Sequence, residues 1–192
     1  VEGGSALDQQ QLVSDALCAL RLIREPRAFD DLARVLESPY MGWDEPFRMR
    51  ALRGELSEPG FAQWPEAALD ATLARLGTRL PAAAELSSWL AGMRAWPRQA
   101  SRLEWARHFS QWLGAARFAR GAGLDSRDAQ RLQRWSELLD EFAALDAVGA
   151  PLGAQAALDE LLQLAGQARH AARTGDAAIT LTAERGAPLA AM

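Results

Sequence analysis

The sequence predicts an all-α protein, a bundle of about eight helices with at most one short strand at its C-terminal end. Three observations carry this. Apolar residues recur at helical spacing from Leu7 to about Ala172. Prolines stand where first helical turns should begin, at Pro46, Pro65 and Pro81. Capping residues precede the later apolar runs, with Ser101 and Glu104 spaced as a capping box and Asp125-Ser126 opening the next run.

Each element follows from its own signals. Asp8 is placed to cap a first helix whose inward face is Leu12, Ala16, Leu20 and Ile23, ending before Pro26. A second helix turns Phe29, Leu32, Ala33 and Leu36 inward and stops at Ser38-Pro39. Pro46 begins a third with Phe47, Ala51 and Leu52, closed by Glu58-Pro59-Gly60. Pro65 begins a fourth with Leu69, Leu73 and Leu76, stopped by Gly77. Pro81 begins a fifth with Leu86, Leu90 and Met93, ending by Trp96-Pro97. The sixth starts at the Ser101 box and faces inward with Leu103, Ala106, Phe109 (or Trp105), Trp112 (or Leu113) and Ala116, and Gly121 and Gly123 end it. The seventh buries Leu132, Trp135, Leu139, Phe142 and Leu145 until Gly149-Ala-Pro151. An eighth presents Ala157, Leu158, Leu161, Leu162 and Ala165. After Thr174-Gly175 the period shortens to two, and Ala178-Ile-Thr-Leu-Thr182 reads as a half-buried strand. The best internal boundary lies at residues 96–100. It divides the chain into an N-terminal half (1–96), a C-terminal half (97–175) and a strand-like tail (176–192), although one continuous domain suits the short loops equally well.

Composition narrows the function classes. The 192 residues are 49% hydrophobic and 24% charged, with net charge -4 and pI about 5.3, so the chain as a whole has no field that gathers DNA. All 21 basic residues are Arg, and Ile occurs only at Ile23 and Ile179, the signature of a GC-rich coding sequence. Cys18, alone and at a core-type position, forms no disulfide within the chain and suits a reducing cytoplasm. The opening Val1-Glu-Gly-Gly-Ser5 lacks the apolar segment of a signal peptide, and no apolar run approaches the roughly 20 residues that span a bilayer. A start on Val rather than Met suits a piece of a longer protein.

Catalytic machinery is not legible. His108 and His170 have no Cys or His at ligand spacing. Gly121-Ala-Gly123 cannot make a phosphate-binding loop of the usual kind, because no lysine follows. Asp30-Asp31, Asp140-Glu141 and Asp159-Glu160 fall on outward helix faces, where adjacent carboxylates are ordinarily solvated. No cofactor or metal is expected. The one charge argument lies in residues 94–134, where nine arginines meet three acids, a balance of +6, with Trp96, Trp105, Trp112 and Phe118 interleaved. Arginines with aromatics suit single-stranded nucleic acid, and the competing reading makes the aromatics core and the arginines a solvated face. Arg117, Arg120, Arg127, Arg131 and Arg134 flank the glycines of 121–123 and are the candidate nucleic-acid-binding residues.

The order Trp105-Ala-Arg-His-Phe-Ser-Gln-Trp112-Leu113, Gly121-Ala-Gly-Leu-Asp125-Ser126, Gln130, then Trp135-Ser-Glu-Leu138-Leu139-Asp-Glu-Phe142 resembles the helical region of a proteobacterial group of DNA repair proteins. These are superfamily I helicase-like chains with a PD-(D/E)XK nuclease domain, related to the B subunit of AddAB-type helicase–nucleases. Ser38-Pro39-Tyr40-Met-Gly42, followed by the Arg-rich 47–53, is similar to a stretch that precedes helices inserted in the second motor domain of that group. Pro151-Leu-Gly153 through Leu164, then Thr174-Gly175-Asp176-Ala177, resembles the return from the insertion, with 179–181 as the re-entering strand. The likeness covers about residues 17–181. The tail from Glu184 departs from it, lacking the apolar strand of the group. The resemblance implies a non-catalytic insertion, comparable to the 2B-type subdomain of such helicases and set in an inactivated motor, that contacts single-stranded or duplex DNA or a partner helicase–nuclease subunit in the cytoplasm. The alternative is a helical protein-interaction or scaffold module without a DNA role. A third is a ligand-binding bundle with a pocket among the tryptophans.

Overall fold

The computed structural model describes residues 7–120, 124–147 and 149–168. Helix α1 (Gln11–Arg21) is its centre. From Leu12 to Leu20 every residue but Ser14 is buried, because α1 packs on α2 (Phe29–Glu37) and also on the three last helices. The single inward face expected for it was therefore too narrow, since a helix covered on several sides is apolar all round. Asp8 does not cap it. Asp8 sits in a 3-10 turn, Leu7–Gln9, and Gln10 takes the N-cap position without a side-chain capping bond.

The chain then runs through α3 (Pro46–Ser57), α4 (Glu66–Gly77) and α5 (Pro81–Ala91), and α4 and α5 pack closely as a pair. Pro46 and Pro81 occupy first-turn positions, whereas Pro65 lies one residue earlier, as the N-cap of α4. Among the described residues there are eight α-helices, and the all-α class holds. One correction concerns the strand. A two-residue antiparallel ladder joins β1 (Arg27–Ala28) to β2 (Gln63–Trp64), far from the C-terminal end. It forms because α2 and α4 begin side by side, and the extended residues before each satisfy one another's backbone, continued by Phe29 N–H donating to the Ala62 carbonyl at 2.9 Å. The strand read at 178–182, like His170, lies outside the described residues.

The later helices are α6 (Arg102–Ala115), α7 (Ser126–Ala144) and α8 (Ala154–Gln167). Both parts of the Ser101–Glu104 capping box are present, and the Asp125 carboxylate accepts from the Asp128 N–H at 2.7 Å. Burial sets several helix faces differently from the pattern. In α3 the inward residues are Met49, Leu52 and Leu56, while Phe47 is 80% exposed and Ala51 is also outward. Leu103 at the start of α6 is exposed, and Trp105, Ala106, Phe109, Trp112 and Leu113 are all buried. In α7, Leu138 goes inward with Trp135, Leu139 and Phe142, and Leu145 is exposed. Helix α6 also ends at Ala115, ahead of the glycines credited with stopping it.

Buried side chains on both sides of residues 96–100 belong to one continuous core. A pair of tryptophans in it joins α5 to α6. The indoles of Trp89 and Trp112 stack at 4.0 Å and 11°, and each Nε1–H donates to the other residue's carbonyl, at 3.0 and 2.9 Å. No helix of the described residues is long and apolar enough to cross a membrane.

Candidate nucleic-acid interface

The segment after α2 is tied to the residues just after α6 and to the first turn of α7. Ser38 Oγ donates to the Asp15 carboxylate at 2.6 Å, and Arg34 holds the other oxygen of the same buried group at 2.7 Å. Tyr40 N–H donates to Ser38 Oγ at 3.2 Å, so the chain leaves α2 in a turn fixed by a side chain. From there Gly42 N–H reaches the Ala116 carbonyl at 2.9 Å, and Ala119 N–H returns to the Tyr40 carbonyl at 2.8 Å. The Tyr40 hydroxyl donates to Asp128 at 3.1 Å in the first turn of α7; burial, then this bond, pushes its pKa up from the ordinary value.

These contacts explain two local features. Arg117 and Ala119 both adopt φ of 53°, a left-handed conformation that side-chain-bearing residues seldom accept, and the cross-links to 40–42 hold them there. Gly42 has no alternative to being glycine. A Cβ there would stand 2.5 Å from the Arg117 Cβ and 2.9 Å from its carbonyl oxygen. Gly42→Ala is therefore expected to destabilise the fold by about 3 kcal/mol, the upper end for overpacking, because the opposing atoms belong to a constrained turn. Chemical denaturation checks this, and a loss below about 1 kcal/mol would mean the turn yields freely.

The five candidate arginines fall into two groups around this joint. Arg117 lies 2.7 Å from Asp44 and 3.6 Å from Glu85. Arg131 lies 2.9 Å from Asp128, and Arg134 lies 2.6 Å from Glu141 and 3.4 Å from Glu137. The Asp44 bond to Arg117 and the Glu141 bond to Arg134 raise the pKa of each guanidinium further. Arg120 and Arg127 are exposed and have no carboxylate partner among the described residues.

Other arginines of the stretch are also engaged. Arg94 pairs with Glu66 and Asp70. Arg102 makes a two-pronged bond to Glu160, at 2.7 and 2.8 Å, and donates to the Ala150 carbonyl at 3.2 Å. Beside it, Asp146 accepts from the backbone N–H groups of Arg102 and Leu103 at 2.6 and 2.9 Å, which lowers its pKa below the ordinary carboxylate value. Arg102 is thus a clamp between α6 and α8. The local balance of +6 counted carboxylates only within 94–134, whereas those that neutralise it come from Asp44, Glu66, Asp70, Glu85, Glu137, Glu141 and Glu160.

For the aromatics, the competing reading holds, and they lie largely in the core. Trp105, Trp112 and Phe118 are buried, and Trp96 is half-buried with its ring edge-on to Trp105 and Trp112. Trp96 does border a shallow cleft, together with Arg27, Glu25 and Glu66. The acidic pairs are divided among ion pairs: Asp31 with Arg21, Glu141 with Arg134, Asp159 with Arg24, Glu160 with Arg102. Among the described residues no three His, Cys, Asp or Glu side chains come together in a group that could hold a metal ion. No protein-family model matches the chain, and no curated protein or solved structure matches it either.

Proposed function

We propose that the chain is a non-catalytic helical insertion of a helicase- and nuclease-like DNA repair protein and that it works in the cytoplasm by contacting DNA. The observation that supports this best is the pair Arg120 and Arg127. Both are exposed and free of carboxylate partners among the described residues, Arg120 next to Ala119 and Arg127 in the first turn of α7, the two places that Tyr40 contacts. Segments carrying the family likeness, 38–42 and the helices containing Trp105 and Trp135, meet at this joint, which gives their residue pattern a positional rather than a chemical purpose. Cys18 fits the same picture. Its thiol is buried and pushed up to about 11, chiefly by that burial, so it is inert at neutral pH.

Titrating a labelled single strand with the purified chain tests the reading. Binding is expected to be weak, to fall steeply between low and moderate salt, and to drop further in Arg120→Glu/Arg127→Glu with the melting temperature unchanged. A second reading, a protein-interaction module without a DNA role, is favoured by the ion pairs of Arg117, Arg131 and Arg134, whose charges are already matched within the chain. An absence of salt-sensitive binding in the unaltered chain would leave that second reading in place.

A further inference from the structure

We propose that Asp44 and Glu85 form an autoinhibitory contact: together they occupy the Arg117 guanidinium and withhold it from nucleic acid at the surface of Arg120 and Arg127. The inference rests on the DNA-contact reading above and concerns the regulation of that same site. Arg117 belongs to the surface by position, since the Arg120 N–H donates to its carbonyl at 3.0 Å. Its charge, however, is already matched. Asp44 lies 2.7 Å from one terminal nitrogen of the guanidinium, and Glu85 lies 3.6 Å from the other.

The hold on Arg117 is built by the backbone as well as by charge. Its φ of 53° goes with the close packing of Gly42, where a Cβ would stand 2.5 Å from the Arg117 Cβ. Asp44 lies two residues beyond Gly42, so the packing that sets the Arg117 backbone also brings this carboxylate within reach. The Asp44 N–H donates to Glu85 Oε1 at 3.4 Å, which ties the two acidic residues to each other. Glu45 beside them is taken by Arg48, and Arg117 is the guanidinium that Asp44 and Glu85 share among the described residues. Arg131 and Arg134 differ, since their acids come from α7 itself, whereas those of Arg117 come from the loop before α3 and from α5. Carboxylate oxygens satisfy a guanidinium much as phosphate oxygens do, so acid and strand compete for the same donors. The side chains of Arg117 and Asp44 are 47% and 70% exposed, so water screens the pair and a phosphate can displace it. The contact therefore lowers affinity without blocking the surface.

The probe is a labelled oligo-dT of about 15 nucleotides, followed by anisotropy over a range of salt. Asp44→Asn/Glu85→Gln removes both charges, and the amide at position 85 keeps an oxygen for the Asp44 N–H. This released variant is expected to bind roughly 3- to 5-fold more tightly at low salt, the scale of an exposed ion pair. Its slope of log K against log salt should steepen by about 0.7, the share of one further phosphate contact. Arg117→Gln added to the released variant should take back both gains. Melting curves check that the variants fold, and Asp44→Asn alone, at an exposed position, should give a smaller gain of the same sign. Affinity and slope equal to those of the unaltered chain overturn the contact as a regulator. A gain that survives Arg117→Gln overturns it too, because the acids would then merely repel the strand. If Arg120→Glu/Arg127→Glu abolishes binding while the released variant gains nothing, the DNA reading stands without the autoinhibition. If neither the unaltered chain nor the released variant binds, both fall.

Discussion

Trp112→Ala is expected to destabilise the protein by about 3–5 kcal/mol, the usual cost of emptying a buried aromatic site. Trp112 is 4% exposed and joins α6 to α5 through its stacked ring and two reciprocal hydrogen bonds with Trp89. Removing it takes away the stack, leaves the Trp89 carbonyl without its indole donor, and opens a void that Trp43, edge-on to Trp89 at 5.5 Å, cannot fill without moving. A double-mutant cycle with Trp89→Ala isolates the pair, and a coupling of about 0.5–3 kcal/mol is expected for residues in direct contact. Near-additive losses would mean that the two indoles are held by the surrounding core and not by each other.

Trp135→Ala is expected to cost a similar amount, about 3–5 kcal/mol. Trp135 is 4% exposed, and Leu139 and Phe142 follow it at four- and three-residue steps along the buried face of α7. That face packs on α1, α6 and α8, with the Phe142 and Phe109 rings 6.5 Å apart, so the variant loosens the centre of the bundle from the C-terminal side. Urea denaturation measures the loss. A change below about 1 kcal/mol with the slope unaltered would mean that the α7 face can collapse around the missing indole.

Helix existence was legible because periodicity and caps are local. Ser101, Glu104 and Asp125 act within one turn of themselves, and their roles follow from spacing alone. Helix rotation was less legible where two faces are nearly as apolar. Phe47 and Met49 compete for the inside of α3, and the decision belongs to α2 and α5, which pack on that helix. Leu103 and Leu145 lose their expected places because each lies at a helix end, beside an Asp146 carboxylate that caps α6 and stays at the surface. The β1–β2 ladder carries no sequence signal, since two residues are too few for alternation to register.

The candidate surface was legible only in composition. A count along 94–134 finds nine arginines, but ion pairing is a property of three-dimensional neighbours, and the partners of Arg94, Arg102 and Arg117 come from α4, α5, α8 and the loop before α3. The Gly42 joint is likewise a long-range feature. Its glycine is required by Arg117, which no local rule connects to it.

The salt dependence of single-strand binding, measured for the unaltered chain and for Arg120→Gln/Arg127→Gln, tests the central claim most directly. Each phosphate neutralised on a single strand contributes about 0.7 to the slope of log K against log salt, so losing two arginines that contact phosphates should flatten the slope by about 1.4. Parallel slopes for the two proteins, or no salt-dependent binding by either, would contradict a DNA-contacting role for this surface.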